Sequence, residues 1–254
     1  MSDLTGDPEM GRLLSELAAP PDLFGTIRAN LIREQACGLF PDEEDGNSLR
    51  DIVQWLDDER ASNHIRAERQ GLSSLSEWGM DGEGFFSHKE KKFFQVVGLK
   101  VTSPYREVGT WSQPILDNAG TGLVGLLIRR AGDRTYFLMQ AKPDVGNRNV
   151  VQLGPTVQFN PGNYIDNKKI RKPFLFDDFL HDRGFVPVMT SRQSEEGGRF
   201  YKEEQVHKIL LLQGGRDLAL PSSHRWLSSG QVRFFLHLGD VVNSSARSIL
   251  ACLL

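Results

Sequence analysis

The sequence predicts an α+β fold: a mixed β-sheet flanked by helices, with a helical extension at the N-terminal end. Two observations carry this. Short apolar runs rich in β-formers crowd the middle of the chain, and helical spacing recurs on both sides of them. No repeat of the 20–50-residue kind is visible, which sets aside solenoids and propellers. The composition agrees, because 39% apolar residues plus 25 Gly among 254 bring the share to about half. A chain of this length buries roughly 70–75% of its unfolded surface and needs no staples.

Taken in order, residues 1–47 carry Pro8, Pro20, Pro21 and Pro41 and an acidic run at Asp42–Gly46. Helical patterns lie between, around Met10–Ala18 and Leu23–Cys37, so this region reads as an arm and linker preceding a main module over 48–254. Ser48 followed by Asp51 is a helix-capping pattern. Leu49, Ile52, Val53 and Leu56 then give an amphipathic helix to about Arg69, with Trp55 in the core. FFQVV at Phe93–Val97, LVGLLI at Leu123–Ile128 and TYFLMQ at Thr135–Gln140 read as strands, the last two joined by a hairpin turn at Gly132-Asp133. Arg199–Tyr201 and Val206–Leu212 suggest another strand pair. Helical signals return at Pro173–His181, Gly230–Leu238 and the C-terminal SSARSILACLL.

A formal charge of −3 excludes a general nucleic-acid binder, which needs a basic face to displace phosphate counterions. Two cysteines, Cys37 and Cys252, cannot make a disulfide scaffold and suit a reduced cytoplasmic setting. The acidic N-terminus lacks a secretory pattern, and the longest apolar run is far short of the ~20 residues of a membrane span. No membrane partner is expected.

The common catalytic signatures are absent: no GxSxG, phosphate loop, HExxH or CxxC. The six histidines are scattered, so no metal site is expected. What stands out is a polar stretch from Gln140 to Tyr164, holding Gln140, Lys142, Asp144, Asn147, Arg148, Asn149, Gln152, Gln158, Asn160 and Asn163. So many amides suit a sugar or a base edge better than a metal, with a solvated loop as the bland alternative. A second concentration, SEEGGRFY at Ser194–Tyr201, reads locally as a charged hairpin tip. Trp111 and Trp226 read singly as core.

Taken together these segments resemble the NDP-hexose 2,3-dehydratases. The resemblance is carried by WL at Trp55-Leu56, FFQVVGLKV at Phe93–Val101, WSQPI at Trp111–Ile115 and FLMQAK at Phe137–Lys142. It continues through GN at Gly146-Asn147, PTVQ at Pro155–Gln158, NY at Asn163-Tyr164 and QSEEGGRFY at Gln193–Tyr201, and ends with HRWLSSGQ at His224–Gln231 and SARSILACL at Ser245–Leu253. It implies a Nudix-like fold without the Nudix metal helix, no cofactor, and a dTDP-4-keto-6-deoxyhexose substrate that loses water across carbons 2 and 3. Family members carry two such modules, so the single one here implies a homodimer, and the product would pass to a 3-ketoreductase in deoxysugar biosynthesis. The chain departs from the family pattern at Gly120 (Glu there), Gly154 (Ser), Phe159-Asn160 (Ala-Thr) and Gln205-Val206 (Asn-Arg). A non-catalytic nucleotide-sugar-binding module stays open beside the enzyme.

The elimination needs a base, donors to the enolate oxygen and an acid for the departing hydroxyl. Residue type offers Glu196 or Glu195 as base, Lys142 for the enolate, Gln140 and Gln158 as hydrogen-bonders, and Tyr164 as acid or base. Arg148 and Arg225, helped by Asn163, suit the diphosphate, and Trp111 or Trp226 the nucleotide base. Asn147, Thr156 and Arg199 complete the expected substrate contacts.

Overall fold

A computed structural model describes residues 23–36, 47–91, 93–118, 120–132, 134–165, 170–214 and 218–253. The expected helix at Met10–Ala18 and the acidic linker lie outside the described residues.

The α+β class stands. Two sheets form the framework. The smaller runs β1 (Trp78–Met80), β2 (Phe86–His88), β3 (Gln95–Thr102) and β4 (Thr110–Asp117), antiparallel and in sequence order. The larger has seven strands: β5 (Gly122–Ala131), β6 (Arg134–Pro143), β7 (Val151–Gly154), β8 (Val157–Phe159), β9 (Val186–Ser194), β10 (Glu204–Leu212) and β11 (His224–Ser228). Its order is β11-β6-β5-β10-β9, with β7 added to β6 and β8 to β5. β5 and β10 are parallel, and every other pairing in it is antiparallel.

The β5–β6 hairpin forms as expected, and Gly132 takes the positive φ of 58° that its turn requires. The other expected strand pair is corrected. β10 pairs with β9, whereas Arg199–Tyr201 is no strand; Phe200 makes only an isolated bridge to Leu116. That bridge matters, because Leu116 N donates to Arg199 O (3.0 Å) and Tyr201 N to Leu116 O (2.8 Å), stitching the small sheet to the large one. Much of the polar stretch is also regular structure: β7 is buried throughout, as are both valine and phenylalanine of β8.

Helices cover the large sheet. α1 (Leu23–Ala36), α2 (Leu49–Ser62), α5 (Ser229–His237) and α6 (Ser244–Ala251) contribute to one apolar cluster, with Ile27, Ile52, Phe235 and Ile249 essentially inaccessible. α1 is core, and its buried Glu34 accepts from Thr135 N (3.0 Å) and from the Ser229 hydroxyl. α2 starts with the expected capping box between Ser48 and Asp51 but ends at Ser62 rather than near Arg69. Between Leu56 and Ile65 the only apolar residue is the exposed Ala61, so nothing there continues the buried stripe.

The second cluster gathers Leu127, Leu138, Leu210 and Phe159 under α4 (Phe176–His181), which begins after Pro173 rather than at it. Phe179 seats against β5 at Gly125, where a Cβ would come within 2.5 Å of its ring. Only glycine allows that approach. Burying Phe179 fully contributes about 1.5–3 kcal/mol, and Lys208 then caps α4 by donating to Phe179 O (2.9 Å) and pairing with Asp182 (2.7 Å).

Candidate active site

The parallel β5–β10 pairing puts both strand starts at one end of the large sheet, where β6 and β8, running the opposite way, finish. A cavity of about 350 Å³ opens there, within the usual size of a small-molecule site. Its lining includes Lys142 from β6, Gln158 and Phe159 from β8, Asn160, Asn163 and Tyr164 just beyond, and Gly122, Glu203 and Gln205 from the β5 and β10 side. Phe93, Phe94 and Asn118, at the ends of the small sheet's strands, close it.

Local chemistry sets several of these side chains. The Asn160 side chain accepts from Gly162 N (3.0 Å), an Asx turn that redirects the chain out of β8. One helical turn, α3 (Gly162–Ile165), follows and carries Asn163 and Tyr164 to the cavity. The Tyr164 ring packs on Phe159 and Phe176, at 6.2 and 5.2 Å between centroids, which fixes its plane. Lys142 is mostly buried, and its ammonium binds Asp144 at 2.5 Å. Gly154 makes room for the lysine stem: a Cβ there would lie 3.0 Å from Lys142 Cβ. Gln205 lies over Gly122, its register partner on β5.

The electrostatics are uneven. Glu203 Oε2, Gln205 Oε1 and Asn163 Oδ1 are buried and have no hydrogen-bond partner among the described residues. Unpartnered buried acceptors are costly and rare, and mark places where function outweighs stability. Glu195 lies beside Glu203. Burial raises its pKa above the usual carboxylate range, and the neighbouring charges of Glu203 and Glu196 push the same way against a backbone hydrogen bond.

Of the residues expected from sequence, Lys142, Gln158, Asn163 and Tyr164 meet in this cavity, and Glu195 abuts it through Glu203. The others lie elsewhere. Glu196 and Arg199 form an exposed pair at 3.5 Å. Arg148 is exposed, and Asn147 shapes a turn by donating to Val150 O (3.3 Å). Gln140 sits mid-ladder opposite Gly154 and His224. Thr156 is buried and ties two strands, accepting from Leu127 N (2.7 Å) and donating to Leu138 O (2.6 Å). Arg225 clamps α2 by donating to Asp51 O (3.1 Å) beneath Trp55, and Trp226 stacks under Arg129. Trp111 donates to Gln113 Oε1 at 2.7 Å, and Gln113 reaches the Gly198 carbonyl, so this pair braces the SEEGGRFY turn.

Sequence reasoning missed Phe93, Phe94, Asn118, Glu203 and Gln205. One signal existed for some of the lining: three of the departures from the family pattern, Phe159, Asn160 and Gln205, all face this cavity. Among the described residues no group of three or more His, Cys, Asp or Glu is placed to hold a metal ion, and no helix is long and apolar enough to cross a membrane.

A family model described as NDP-hexose 2,3-dehydratase matches residues 49–253. The chain is similar to three curated proteins, each called dTDP-4-dehydro-6-deoxy-alpha-D-glucopyranose 2,3-dehydratase. It is 30% identical over 239 residues to that of Saccharopolyspora spinosa, covering 94% of this chain and 47% of that protein. With that of Streptomyces violaceoruber it is 31% identical over 233 residues (89% and 52%), and with that of Amycolatopsis orientalis 32% over 225 (82% and 46%). The chain thus spans about half the length of the curated relatives it matches. Among solved structures, the crystal structure of an ADP compounds hydrolase overlays with a TM-score of 0.37 and 14% identity, covering 70% of this chain and 92% of that chain. So loose a likeness carries no argument.

Proposed function

Because the chain belongs to the NDP-hexose 2,3-dehydratase family, we propose that its cavity binds a dTDP-4-keto-6-deoxyhexose and removes water across carbons 2 and 3. The observation that supports this most is the meeting of one carboxylate, one ammonium, one phenol and several amides at a single sheet end.

The chemistry assigns itself by charge. The ketone at carbon 4 acidifies the hydrogen on carbon 3, and a carboxylate without a protein partner is the group able to accept it. Glu203 takes that proton, with Glu195 behind it. The electron pair moves onto the carbon 4 oxygen, where the Lys142 ammonium and the Gln158 and Asn163 amides stabilise the enolate. As the enolate collapses, the bond from carbon 2 to its hydroxyl breaks, and the Tyr164 phenol donates a proton so that water leaves. The resulting enol carries its hydroxyl on carbon 3 and tautomerises to the 3,4-diketo sugar. On this reading the product passes to a 3-ketoreductase. Symmetric self-pairing is the commonest oligomer, so two copies pair on this reading, and the low cysteine content supports a reducing cytoplasmic setting.

The departures from the family pattern at Phe159, Asn160 and Gln205, all on the cavity wall, favour a second reading, a module that binds the nucleotide sugar without turning it over. Incubating the full chain with dTDP-4-keto-6-deoxyglucose in D2O separates the two. Release of dTDP and solvent deuterium at carbon 2 of the product support the lyase; binding with neither supports the module.

A further inference from the structure

The larger cavity accounts for the sugar's chemistry but not for the remainder of an elongated nucleotide sugar. A second cavity of about 210 Å³ adjoins it, lined by Ser87, Lys91, Phe93, Gln95, Asp117 and Asn118. Phe93 and Asn118 belong to both, so one ligand can thread from either into the other. We infer that the smaller cavity is the nucleobase subsite, and that Gln95, oriented by Asp117, selects a pyrimidine bearing a hydrogen on N3. The inference rests on the nucleotide-sugar reading above.

The wall comes first. Phe93 is 39% exposed, yet it is braced by Trp78 (stacked, 6.4 Å) and His88 (edge-on, 4.9 Å). An exposed ring held in place by its neighbours is a platform on which a base stacks. The tryptophans expected to do this from sequence are both engaged elsewhere, Trp111 with Gln113 and Trp226 with Arg129.

The polar edge comes second. Gln95 and Asp117 are register partners at the end of the β3–β4 ladder, and Gln95 Nε2 donates to Asp117 Oδ2 at 3.1 Å. An ionised carboxylate only accepts, so it fixes which end of the amide faces it and leaves the Gln95 carbonyl oxygen as an acceptor. Thymine and uracil present an N3–H donor to such an oxygen. Cytosine presents a lone pair at N3, and two acceptors then oppose each other. Lys91, largely exposed and 3.5 Å from Asp81, adds a cation for the diphosphate beside the amide of Asn118.

Calorimetric titration of the full chain with dTDP, UDP and CDP tests this. The expected result is that dTDP and UDP bind within about ten-fold of each other and CDP binds about ten-fold or more weakly. Gln95→Leu, or Gln95→Met if that variant folds poorly, should erase the preference over CDP. Phe93→Ala, or Phe93→Leu, should weaken dTDP and UDP alike by about ten-fold. Tight dTDP binding with an unchanged CDP ratio in the Gln95 variants and unchanged affinity in the Phe93 variants overturns the inference and leaves the proposed function standing. Failure of the wild-type chain to bind any of the three overturns the nucleotide-sugar reading itself.

Discussion

The backbone amide of Glu195 donates to the carbonyl of Glu203 at 2.9 Å, one step beyond the Ser194–Glu204 pair that ends the β9–β10 ladder. Residues opposite one another on antiparallel strands project to the same side, so two carboxylates stand together at the cavity's rim, a pairing that destabilises when both are charged.

This pairing sets a pH dependence. Burial, then the Glu203 charge, raises the pKa of Glu195 in the folded chain. A group whose folded pKa lies above its unfolded value, about 4.3 for glutamate, stabilises the fold fully only below that unfolded value. Its contribution is lost as pH climbs through the raised folded pKa. Glu195→Gln should therefore raise the melting temperature above wild type at pH 7–8, and the gap should close near pH 4, read by thermal unfolding across pH. A gap that widens on acidification contradicts the arrangement.

Glu203→Gln keeps the shape of the side chain and removes its basicity. Deuterium exchange at carbon 3 of the keto sugar should fall by about 10²–10⁴, while the Kd for dTDP stays within about three-fold, less than ~0.7 kcal/mol. Exchange at the wild-type rate would assign the base elsewhere.

Lys142→Met and Tyr164→Phe remove the enolate cation and the proton donor. Each should cost about 10²–10³ in turnover. The double variant should cost less than the product of the two, because the residues act on one transition state. Near-wild-type turnover in the double variant would misplace the catalytic centre.

Thr156→Val should act on stability, not selectively on binding. It strands the buried Leu127 amide and Leu138 carbonyl that the hydroxyl joins, a loss of about 1–3 kcal/mol. In urea this appears as a lower midpoint with an unchanged slope, and the folded variant should bind dTDP as wild type does.

The sequence was legible where a residue's fate is local. The cap at Ser48 and the β5–β6 hairpin follow from neighbours a few positions apart, and Lys142, Gln158, Asn163 and Tyr164 stood out within one short polar stretch. Glu203 and Gln205 were hidden because they enter the cavity only through the parallel pairing of β10 with β5, some 80 residues earlier in the sequence. In the paired glutamates of SEEGGRFY, only register decides that Glu195 faces Glu203 while Glu196 turns to solvent. Arg225 and Trp226 carry the right chemistry for a phosphate and a base, but packing against α2 and Arg129 uses it up. The arm-like proline content around α1 masked Ile27 and Leu31, two core side chains on an otherwise weakly patterned helix.

The most direct test of the central claim, that the keto-sugar nucleotide sits at this sheet end, is amide NMR of the isotopically labelled full chain titrated with dTDP-4-keto-6-deoxyglucose. Shifts should concentrate at Gly122, Asn160, Asn163, Tyr164, Glu203 and Gln205. Shifts confined instead to Asn147–Asn149 or to Arg225 and Trp226 would contradict it.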